Sequence, residues 1–233
     1  MSESLTLYIG NKNYSSWSMR AWVLLRQKGI AFREVKVRFD SFAADSEFKR
    51  IIRAINPTGT VPVLVDGNLV IWDSLAIAEY AAEKYPALGL WPSSAAHRAR
   101  ARSICAEMHA GFAALRSSCP MNIEADLHIA GAIAWRDNAR LRQDVARLEA
   151  MWGELLRVHG GPFLFGDFCV ADAYFAPVVM RLLRYALPVG EATRHYMDTV
   201  CATSAVQQWV ADALNEHDFR PFEEPYRMQG STS

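Results

Sequence analysis

Three short polar segments in the first third of the chain carry the residues that could do chemistry. Residues 13–20 read NYSSWSMR, residues 56–64 read NPTGTVPVL, and the third segment is the pair Asp73 and Ser74. Two of the three segments place hydroxyl or carboxyl groups where a helix is predicted to start. A helix N-terminus attracts anions, so these positions could bind one.

The polar groups at the two helix starts allow two interpretations. Serine or aspartate at the first position of a helix caps it by accepting a hydrogen bond from an unpaired backbone amide. Alternatively, a hydroxyl of the NYSSWSMR segment acts with the helix N-terminus to stabilise an anion. In the same way, Asp73 and Ser74 either cap their helix or recognise a carboxylate. The residues alone leave both interpretations open.

Pro62 lies at the start of a predicted strand, where its missing amide is tolerated at the edge of the hydrogen-bonded ladder. A cis bond before this proline would turn the amide and carbonyl of Val61 outward. Those groups would then be free to pair with a peptide-like ligand. Sequence does not reveal the isomer, and cis is the minor form of such bonds.

Hydrophobic patterns predict the order β-α-β-α-β-β-α for residues 5–85. The predicted elements are a strand at Leu5–Ile9, a helix containing Met19, Trp22 and Val23 that ends near Gly29, a half-buried strand with Val35, Val37 and Phe39, a weak helix at 45–54, a hairpin of Val61–Val65 with Leu69–Ile71, and a helix from Asp73 to about Tyr85.

After a Pro- and Gly-containing linker at 86–96, every remaining pattern is helical. The clearest helix carries apolar residues at intervals of four and three, namely Leu141, Val145, Leu148, Trp152 and Leu155. Further helices are predicted from about Ala171 and from Ala205 to Asn215. The fold class is therefore α/β followed by all-α, with domains at 1–85 and 97–233. The polar tail from Pro221 to Ser233 is predicted to be partly disordered.

Composition excludes several classes of function. The chain has 233 residues, 51% of them hydrophobic, with 25 basic and 25 acidic side chains. Zero net charge gives no reason to expect a nucleic-acid or anionic-membrane partner. No apolar run is long enough for a transmembrane helix, and the N-terminus lacks a signal-peptide pattern, so we expect a cytoplasmic protein.

The cysteines predict neither a disulfide nor a metal site. Four are present, at Cys105, Cys119, Cys169 and Cys201, and none forms a CxxC pair. We expect four reduced and mostly buried thiols. Cys105 and His109 are one helical turn apart, but no second pair completes a tetrahedral metal site.

Taken together, the three polar segments resemble those of the glutathione transferase superfamily. NPTGTVPVL followed by Asp73-Ser74 is specific to that family, and SSWSMR is similar to the SSCSxR motif of its zeta class. Trp17 replaces the cysteine of that motif, so the chain looks closer to a bacterial, serine-type branch. The resemblance covers nearly the whole chain. It implies a thioredoxin-like N-terminal domain, an all-helical C-terminal domain, and a homodimer that uses glutathione as co-substrate without a metal.

The resemblance also implies roles for particular residues. Ser15 would donate a hydrogen bond to the sulfur of glutathione, and Ser16 could share or replace that role. The implied glutathione-binding residues are Ser15, Thr60, Val61, Pro62 in the cis form, Asp73 and Ser74, of which Thr60 stands where many relatives carry glutamine or lysine.

This chemistry is physically reasonable. A cysteine thiol titrates near pH ~8.5, and lowering its pKa by about two units requires roughly 2.7 kcal/mol of preferential thiolate stabilisation. A charge-assisted hydrogen bond contributes about 1.5–3 kcal/mol and a helix N-terminus about 0.3–1 kcal/mol more. Ser15 at the start of the first helix could therefore supply the shift without a general base.

The helical domain is expected to provide the site for the second substrate. In the superfamily its first helix lines this site, and here that helix is predicted to continue to Cys119. Met108 and Phe112, together with Trp17, are the candidate hydrophobic-substrate residues, while His109 is interpreted as structural or at the surface. Asp172, three residues after Cys169, resembles the family's capping motif for a buried helix and is interpreted as structural.

The resemblance predicts a transferase that attacks a small hydrophobic electrophile, or a peroxide, with the glutathione thiolate. One alternative is a zeta-like, glutathione-dependent cis–trans isomerase of a maleyl-type substrate. That enzyme would need cationic groups for the substrate carboxylates, whereas Trp17 and Met108 indicate a less polar pocket. A second alternative is a non-catalytic glutathione-binding or scaffold protein, because fold does not imply function.

Overall fold

The computed structural model describes residues 5–224, and its first part is a sheet covered by helices. The elements are β1 Leu5–Ile9, α1 Ser16–Gln27, β2 Phe32–Lys36, α2 Glu47–Arg53, β3 Val63–Asp66, β4 Leu69–Trp72 and α3 Ser74–Lys84. The strand order is β2-β1-β3-β4, in which β1 and β2 are parallel while β3 is antiparallel to both of its neighbours. The predicted element order and the thioredoxin-like domain are confirmed.

The second strand ends earlier than its alternating pattern predicted. β2 stops at Lys36, although Val37 and Phe39 beyond it are buried. The backbone amide of Phe39 donates to the side-chain oxygen of Asn11 at 2.8 Å, which draws the chain away from the ladder. A Cβ at Gly10 would come within 2.2 Å of the Phe39 ring, so a larger residue there would displace that ring. The aromatic side chain therefore packs over the end of β1.

The second part of the described chain is helical, as predicted. Its helices are α4 Ala95–Ala110, α5 Ala113–Ser118, α6 His128–Asp137, α7 Ala139–His159, α8 Val170–Arg184, α9 Glu191–Ala202 and α10 Ser204–Leu214. A one-turn 3-10 helix at Pro86–Leu88 lies in the linker segment, where Leu90 and Trp91 are buried. The domain limits at 85 and 97 stay predictions.

The first helix of this part is broken, which the sequence analysis did not predict. α4 ends at Gly111, and Phe112 adopts a left-handed conformation with φ 54° before α5 begins. A Cβ at Gly111 would lie 2.7 Å from the carbonyl oxygen of Glu107, so only glycine fits this close turn. The break changes which side chains the following turns present to the first domain.

Helix α8 forms the centre of the helical part and packs directly against α1. It begins at Val170, close to the predicted start at Ala171. The buried carboxylate of Asp172 accepts hydrogen bonds from the amides of Cys169 (2.9 Å) and Leu164 (3.1 Å) and from the hydroxyl of Tyr196 (3.0 Å). The predicted local backbone bonds of Asp172 are confirmed.

All four cysteines are free thiols, and three of them are buried, as predicted. Within residues 5–224, no helix combines the length and apolarity needed to cross a bilayer. The C-terminal segment is more ordered than predicted where it is described: Pro221–Glu223 forms a 3-10 turn and Glu224 is buried. The rest of the predicted tail, at 225–233, lies outside the described residues.

Candidate functional site

A cavity of about 630 Å³ opens beside the start of α1. It is lined by residues from both parts of the chain: Tyr14, Ser15, Ser16, Trp17, Phe39, Phe42, Phe48, Lys49, Thr60, Val61, Ala113, Arg116, Ser117, Pro120, Met121, Arg181 and Glu223. Five predicted site residues, namely Ser15, Ser16, Trp17, Thr60 and Val61, therefore share one cavity although two separate segments carry them.

Ser15 occupies the N-cap position of α1, but its side chain makes no capping hydrogen bond. Its hydroxyl instead donates to Ser18 Oγ at 2.7 Å, and the amide of Gly10 donates to the same oxygen at 3.2 Å. A hydroxyl both donates and accepts, so Ser18 can support Ser15 in either direction. The capping interpretation of Ser15 is wrong, because its hydroxyl is not used by the helix. Sequence reasoning missed Ser18, although it lies one helical turn after Ser15.

Ser16 differs from its neighbour because its oxygen accepts a hydrogen bond from Arg181 Nη2 at 3.1 Å. The hydroxyl hydrogen of Ser16 is therefore not used in that contact and can be donated to another group. Arg181 lies on α8 and also donates to the carbonyl of Cys119. Burial and the nearby cation of Arg20 lower the pKa of Arg181 to about 10. A guanidinium group thus stands directly behind one of the two candidate serines.

Val61 precedes β3, and the bond between Val61 and Pro62 is cis, as the resemblance implied. Within residues 5–224, no hydrogen bond engages the backbone amide of Val61. Pro62 itself is buried and lies outside the cavity lining. The exposed Thr60 lines the cavity, and its hydroxyl pairs with that of Thr58 at 2.6 Å. The free backbone of Val61 can therefore pair with an extended, peptide-like ligand.

Asp73 and Ser74 lie at the start of α3, outside the cavity lining. Asp73 has a left-handed φ of 75°, and its carboxylate accepts from the amide of Leu75 at 2.7 Å. This is the capping role. The hydroxyl of Ser74 is buried against the hydroxyl of Tyr174 at 2.8 Å. The ring of His109 lies 3.4 Å from the Asp73 carboxylate and 3.2 Å from the Tyr174 hydroxyl. His109 therefore connects Asp73 to the contact between Ser74 and Tyr174.

This network crosses between the two parts of the chain and was not predicted. His109 was interpreted as structural or at the surface, and its role is structural, since it joins the helical part to the start of α3. Burial raises the pKa of Tyr174 to about 12, so its hydroxyl stays protonated at neutral pH. The sequence drew attention only to His109, because it lies one helical turn after Cys105. Nothing in the local sequence pattern indicates a contact from Tyr174.

Trp17 is the centre of a cationic cluster. The guanidinium carbon of Arg20 lies 4.1 Å from the centre of the indole ring, and that of Arg116 lies 5.0 Å from it. Arg20 is buried, its Nε and Nη1 atoms have no hydrogen-bond partner within the described chain, and burial lowers its pKa to about 10. Cation–π contacts therefore carry much of its stabilisation.

The two candidate hydrophobic-substrate residues from the helical domain, Met108 and Phe112, do not line the cavity. Met108 is 1% exposed and Phe112 is 6% exposed, and both belong to the main core rather than to the cavity lining. The break after α4 explains the difference, because α5 restarts the helix in a new register. Ala113, Arg116 and Ser117 occupy the wall instead.

The cavity is also more polar than Trp17 and Met108 indicated. Three cationic side chains line it, from Lys49 on α2, Arg116 on α5 and Arg181 on α8. Their positions in the chain are far apart, so no local pattern groups them. The lining is nevertheless mostly apolar, so the predicted less polar pocket is not contradicted, and the three cations add charge that the prediction did not include.

Tyr14 and Glu223 also line the cavity and were not predicted. The hydroxyl of Tyr14 donates to Glu224 at 2.7 Å, and burial together with this carboxylate raises its pKa well above the usual value. The hydroxyl hydrogen of Tyr14 is therefore engaged by Glu224 and is not available to a ligand in the cavity. Among the described residues, no group of three or more histidine, cysteine or acidic side chains could hold a metal ion.

Comparisons with known proteins identify a family of related chains. Models described as "Glutathione S-transferase, N-terminal domain" and "Glutathione S-transferase, C-terminal domain" match residues 14–84 and 94–215. The chain is 35% identical over 182 residues to glutathione S-transferase Z1 of Arabidopsis thaliana, covering 72% of this chain and 75% of that protein. It is 27% identical to a probable maleylacetoacetate isomerase of Caenorhabditis elegans, covering 79% and 81%.

Among solved structures, a glutathione transferase homolog from Burkholderia gl BGR1 with bound glutathione superposes with a TM-score of 0.68. The two chains are 26% identical, and the match covers 91% of this chain and 100% of the other.

Proposed function

Because the chain belongs to the glutathione S-transferase family, we propose that it binds glutathione and transfers the glutathione thiolate to a small electrophile or a peroxide. One observation carries the proposal: Ser15 and the unpaired backbone of Val61 open into one cavity. An extended tripeptide pairing with Val61 would bring its central cysteine towards the serines at the start of α1. The glutathione complex of the Burkholderia homolog supports the same ligand.

In this proposal Ser15 donates its hydroxyl hydrogen to the sulfur. Ser18 then turns its own hydrogen towards Ser15, so that the oxygen of Ser15 keeps a hydrogen-bond partner. The α1 N-terminus and the guanidinium of Arg181 add favourable electrostatics for the thiolate. Thr60, Val61, Pro62, Asp73 and Ser74 form the remaining glutathione site.

The part of the cavity lined by Trp17, Arg116 and Arg181 takes the second substrate. Trp17 offers an aromatic face, while Arg116 and Arg181 offer cations. A planar, hydrophobic electrophile would stack on the aromatic face of Trp17, and a carboxylate on that electrophile would pair with the arginine cations.

The cationic wall also favours a second candidate function. A glutathione-dependent cis–trans isomerase of a maleyl-type substrate needs groups that bind carboxylates, and Arg116 and Arg181 can do so. The similarity to the probable maleylacetoacetate isomerase of C. elegans supports this alternative. Turnover of maleylacetone, measured by the loss of its ultraviolet absorbance in the presence of glutathione, tests it directly.

A conjugation assay with 1-chloro-2,4-dinitrobenzene and calorimetric titration of glutathione, together with the maleylacetone assay, separate the three hypotheses. A transferase binds glutathione and forms the conjugate, and Ser15→Ala loses most of the rate. Ser93→Ala changes an exposed serine of the linker and serves as the matched control. Binding without turnover of any electrophile would indicate the non-catalytic glutathione-binding or scaffold protein, and absence of binding would contradict the proposal.

A further inference from the structure

The end of the described chain returns to the candidate site. We call residues 216–224 the C-terminal strap. Its first part holds the loop that precedes Ser15: Glu216 accepts from the backbone amides of Lys12 at 2.8 Å and Asn13 at 3.2 Å. Asp218 forms a two-pronged contact with Arg38, at 2.6 and 2.7 Å. The strap is therefore anchored to the N-terminal part by charged hydrogen bonds.

Its second part is anchored at the cavity edge. Glu224 accepts the hydroxyl hydrogen of Tyr14, and the ring of Phe222 packs edge-on against Phe42 at 5.1 Å between centroids. Glu223 lies between these two anchors and lines the cavity. The strap therefore holds Glu223 in the wall of the cavity that Ser15 and Ser16 also line.

Glu223 has the surroundings of a proton carrier. It is the one carboxyl group among the described lining residues, and within residues 5–224 its side chain makes no hydrogen bond or ion pair. The charged and titratable groups facing the cavity from the packed elements are Lys49 on α2, Arg116 on α5, Arg181 on α8 and Tyr14 before α1. Burial raises the pKa of Glu223 to about 7, although Arg181 opposes the shift. A group that titrates near the working pH is the most effective acid or base.

We propose that Glu223 is a catalytic residue that donates the proton when glutathione adds to an α,β-unsaturated carbonyl compound. The proposal rests on the proposed transferase function and names one substrate class for the same cavity. It assigns to the strap a chemical role in addition to its structural one.

The proton and electron balance of the step is complete. The thiolate forms a carbon–sulfur bond at the β-carbon, and the π-electron pair of the carbon–carbon double bond moves to the α-carbon as the enolate. Protonated Glu223 gives its proton to that α-carbon and becomes a carboxylate. The next glutathione thiol that ionises in the cavity returns a proton to Glu223. The net reaction is one glutathione plus one enone giving one adduct.

Aromatic substitution provides an internal comparison. When the thiolate displaces chloride from 1-chloro-2,4-dinitrobenzene, the carbon–chlorine bond breaks and chloride leaves without a proton. Thiolate formation is common to both reactions, whereas proton donation belongs only to the addition. A role for Glu223 as acid must therefore change the ratio of the two rates.

The test measures kcat for 4-phenyl-3-buten-2-one and for 1-chloro-2,4-dinitrobenzene at saturating glutathione in the full-length protein. We expect Glu223→Gln to lower the ratio of addition to substitution by at least about 10-fold, since general acids contribute about 100-fold or more. In the wild type this ratio should fall as pH rises through about 7, where Glu223 loses its proton. In Glu223→Gln the ratio should not change with pH.

Glu224→Gln is the matched control because it makes the same change at the next position, where the carboxylate holds Tyr14. Loosening of the strap would change both rates together and leave their ratio as in the wild type. An unchanged ratio in Glu223→Gln, or the same fall in both variants, would overturn the assignment while leaving the transferase function in place. If the wild type turns over neither substrate, the proposed function fails and this assignment fails with it.

Discussion

The two adjacent serines at the start of α1 have different hydrogen-bond partners, and this difference bears on their chemistry. Ser15 is paired with another hydroxyl, whereas Ser16 accepts from the charged Arg181. A hydroxyl whose oxygen accepts from a cation becomes a stronger donor. Ser15 therefore relies on the helix N-terminus and on Ser18, while Ser16 is polarised by a guanidinium group. Both can act on a thiolate, and substitution of each serine separately distinguishes them.

The contact between Ser74 and Tyr174 leads to a prediction about glutathione affinity. Tyr174→Phe removes the hydroxyl that holds the buried Ser74 side chain. Loss of one such hydrogen bond costs about 1 kcal/mol, so we expect the Kd for glutathione to rise about fivefold. Calorimetric titration measures the Kd, and the conjugation rate at saturating glutathione should stay near the wild-type value. An unchanged Kd would show that this contact does not position Ser74.

Arg116 gives a prediction about substrate charge. The side chain lines the cavity beside Trp17 and donates to the backbone carbonyl of His109 at 3.2 Å. Arg116→Gln removes the cation, and we expect KM for ethacrynic acid, a carboxylate-bearing electrophile, to rise about fivefold, equivalent to about 1 kcal/mol. KM for the neutral 1-chloro-2,4-dinitrobenzene should change less than about twofold. Equal changes for both electrophiles would contradict a charge-specific role.

At this scale, a short segment of sequence can carry the whole signal for a candidate residue. Ser15, Ser16, Thr60 and Val61 lie in recognisable motifs, and the structure brings them to one cavity. Arg181 could not be found in this way, because its contact with Ser16 joins residues 165 positions apart. Its sequence neighbours are apolar and indicate only a buried helix.

Among the elements, the break between α4 and α5 explains why Met108 and Phe112 lie in the core rather than in the cavity lining. The apolar spacing of Met108, Phe112 and Leu115 continues a helical pattern across Gly111. The spacing of apolar residues predicts which side chains are buried. It does not predict that the backbone turns between them, so that they pack against different neighbours. Gly111 was the local signal, since glycine in a helical pattern costs about 1 kcal/mol and often marks a helix end.

The start of α8 supports a stability prediction. Asp172 is fully buried and accepts three hydrogen bonds, two from amides and one from Tyr196. Asp172→Ala leaves these donors without a partner, and we expect the free energy of unfolding to fall by about 3 kcal/mol.

Chemical denaturation measures this loss. Asp167→Ala is the matched control, because Asp167 is exposed in the turn just before α8 and should change stability by less than about 0.5 kcal/mol. Similar losses in the two variants would contradict the structural role given to Asp172.

In the whole molecule, the candidate site depends on both parts of the chain and on the C-terminal strap. The first part supplies the serines and the Val61 backbone, the helical part supplies Arg116 and Arg181, and the strap supplies Glu223. Sequence analysis predicted the two parts and their order, because each has its own hydrophobic period. It could not predict the strap, whose polar residues resemble a solvated tail until their ionic partners are known.

We also propose that the protein is a homodimer, in which the N-terminal domain of one chain packs against the helical domain of the other. The edge strand β4 exposes Leu69 and Trp72, which are 49% and 39% accessible. Uncovered apolar side chains on an edge strand favour association. Sedimentation equilibrium should give twice the mass of the chain, and Trp72→Glu should shift the equilibrium towards the monomer.

Arg33→Glu provides the control for this experiment, since Arg33 is exposed on β2, at the opposite edge of the same sheet. It should leave the dimer intact. A wild-type protein that sediments as a monomer would contradict the dimer.

In the proposed mechanism, a serine hydroxyl at the start of α1 lowers the pKa of the glutathione thiol. An ultraviolet difference titration of bound glutathione measures that pKa in the wild type, Ser15→Ala and Ser16→Ala. We predict that thiolate absorbance appears about two pH units below that of free glutathione and that Ser15→Ala abolishes the shift. Loss of the shift only in Ser16→Ala would transfer the role to the serine held by Arg181. Bound glutathione with an unshifted thiol in the wild type would contradict the mechanism.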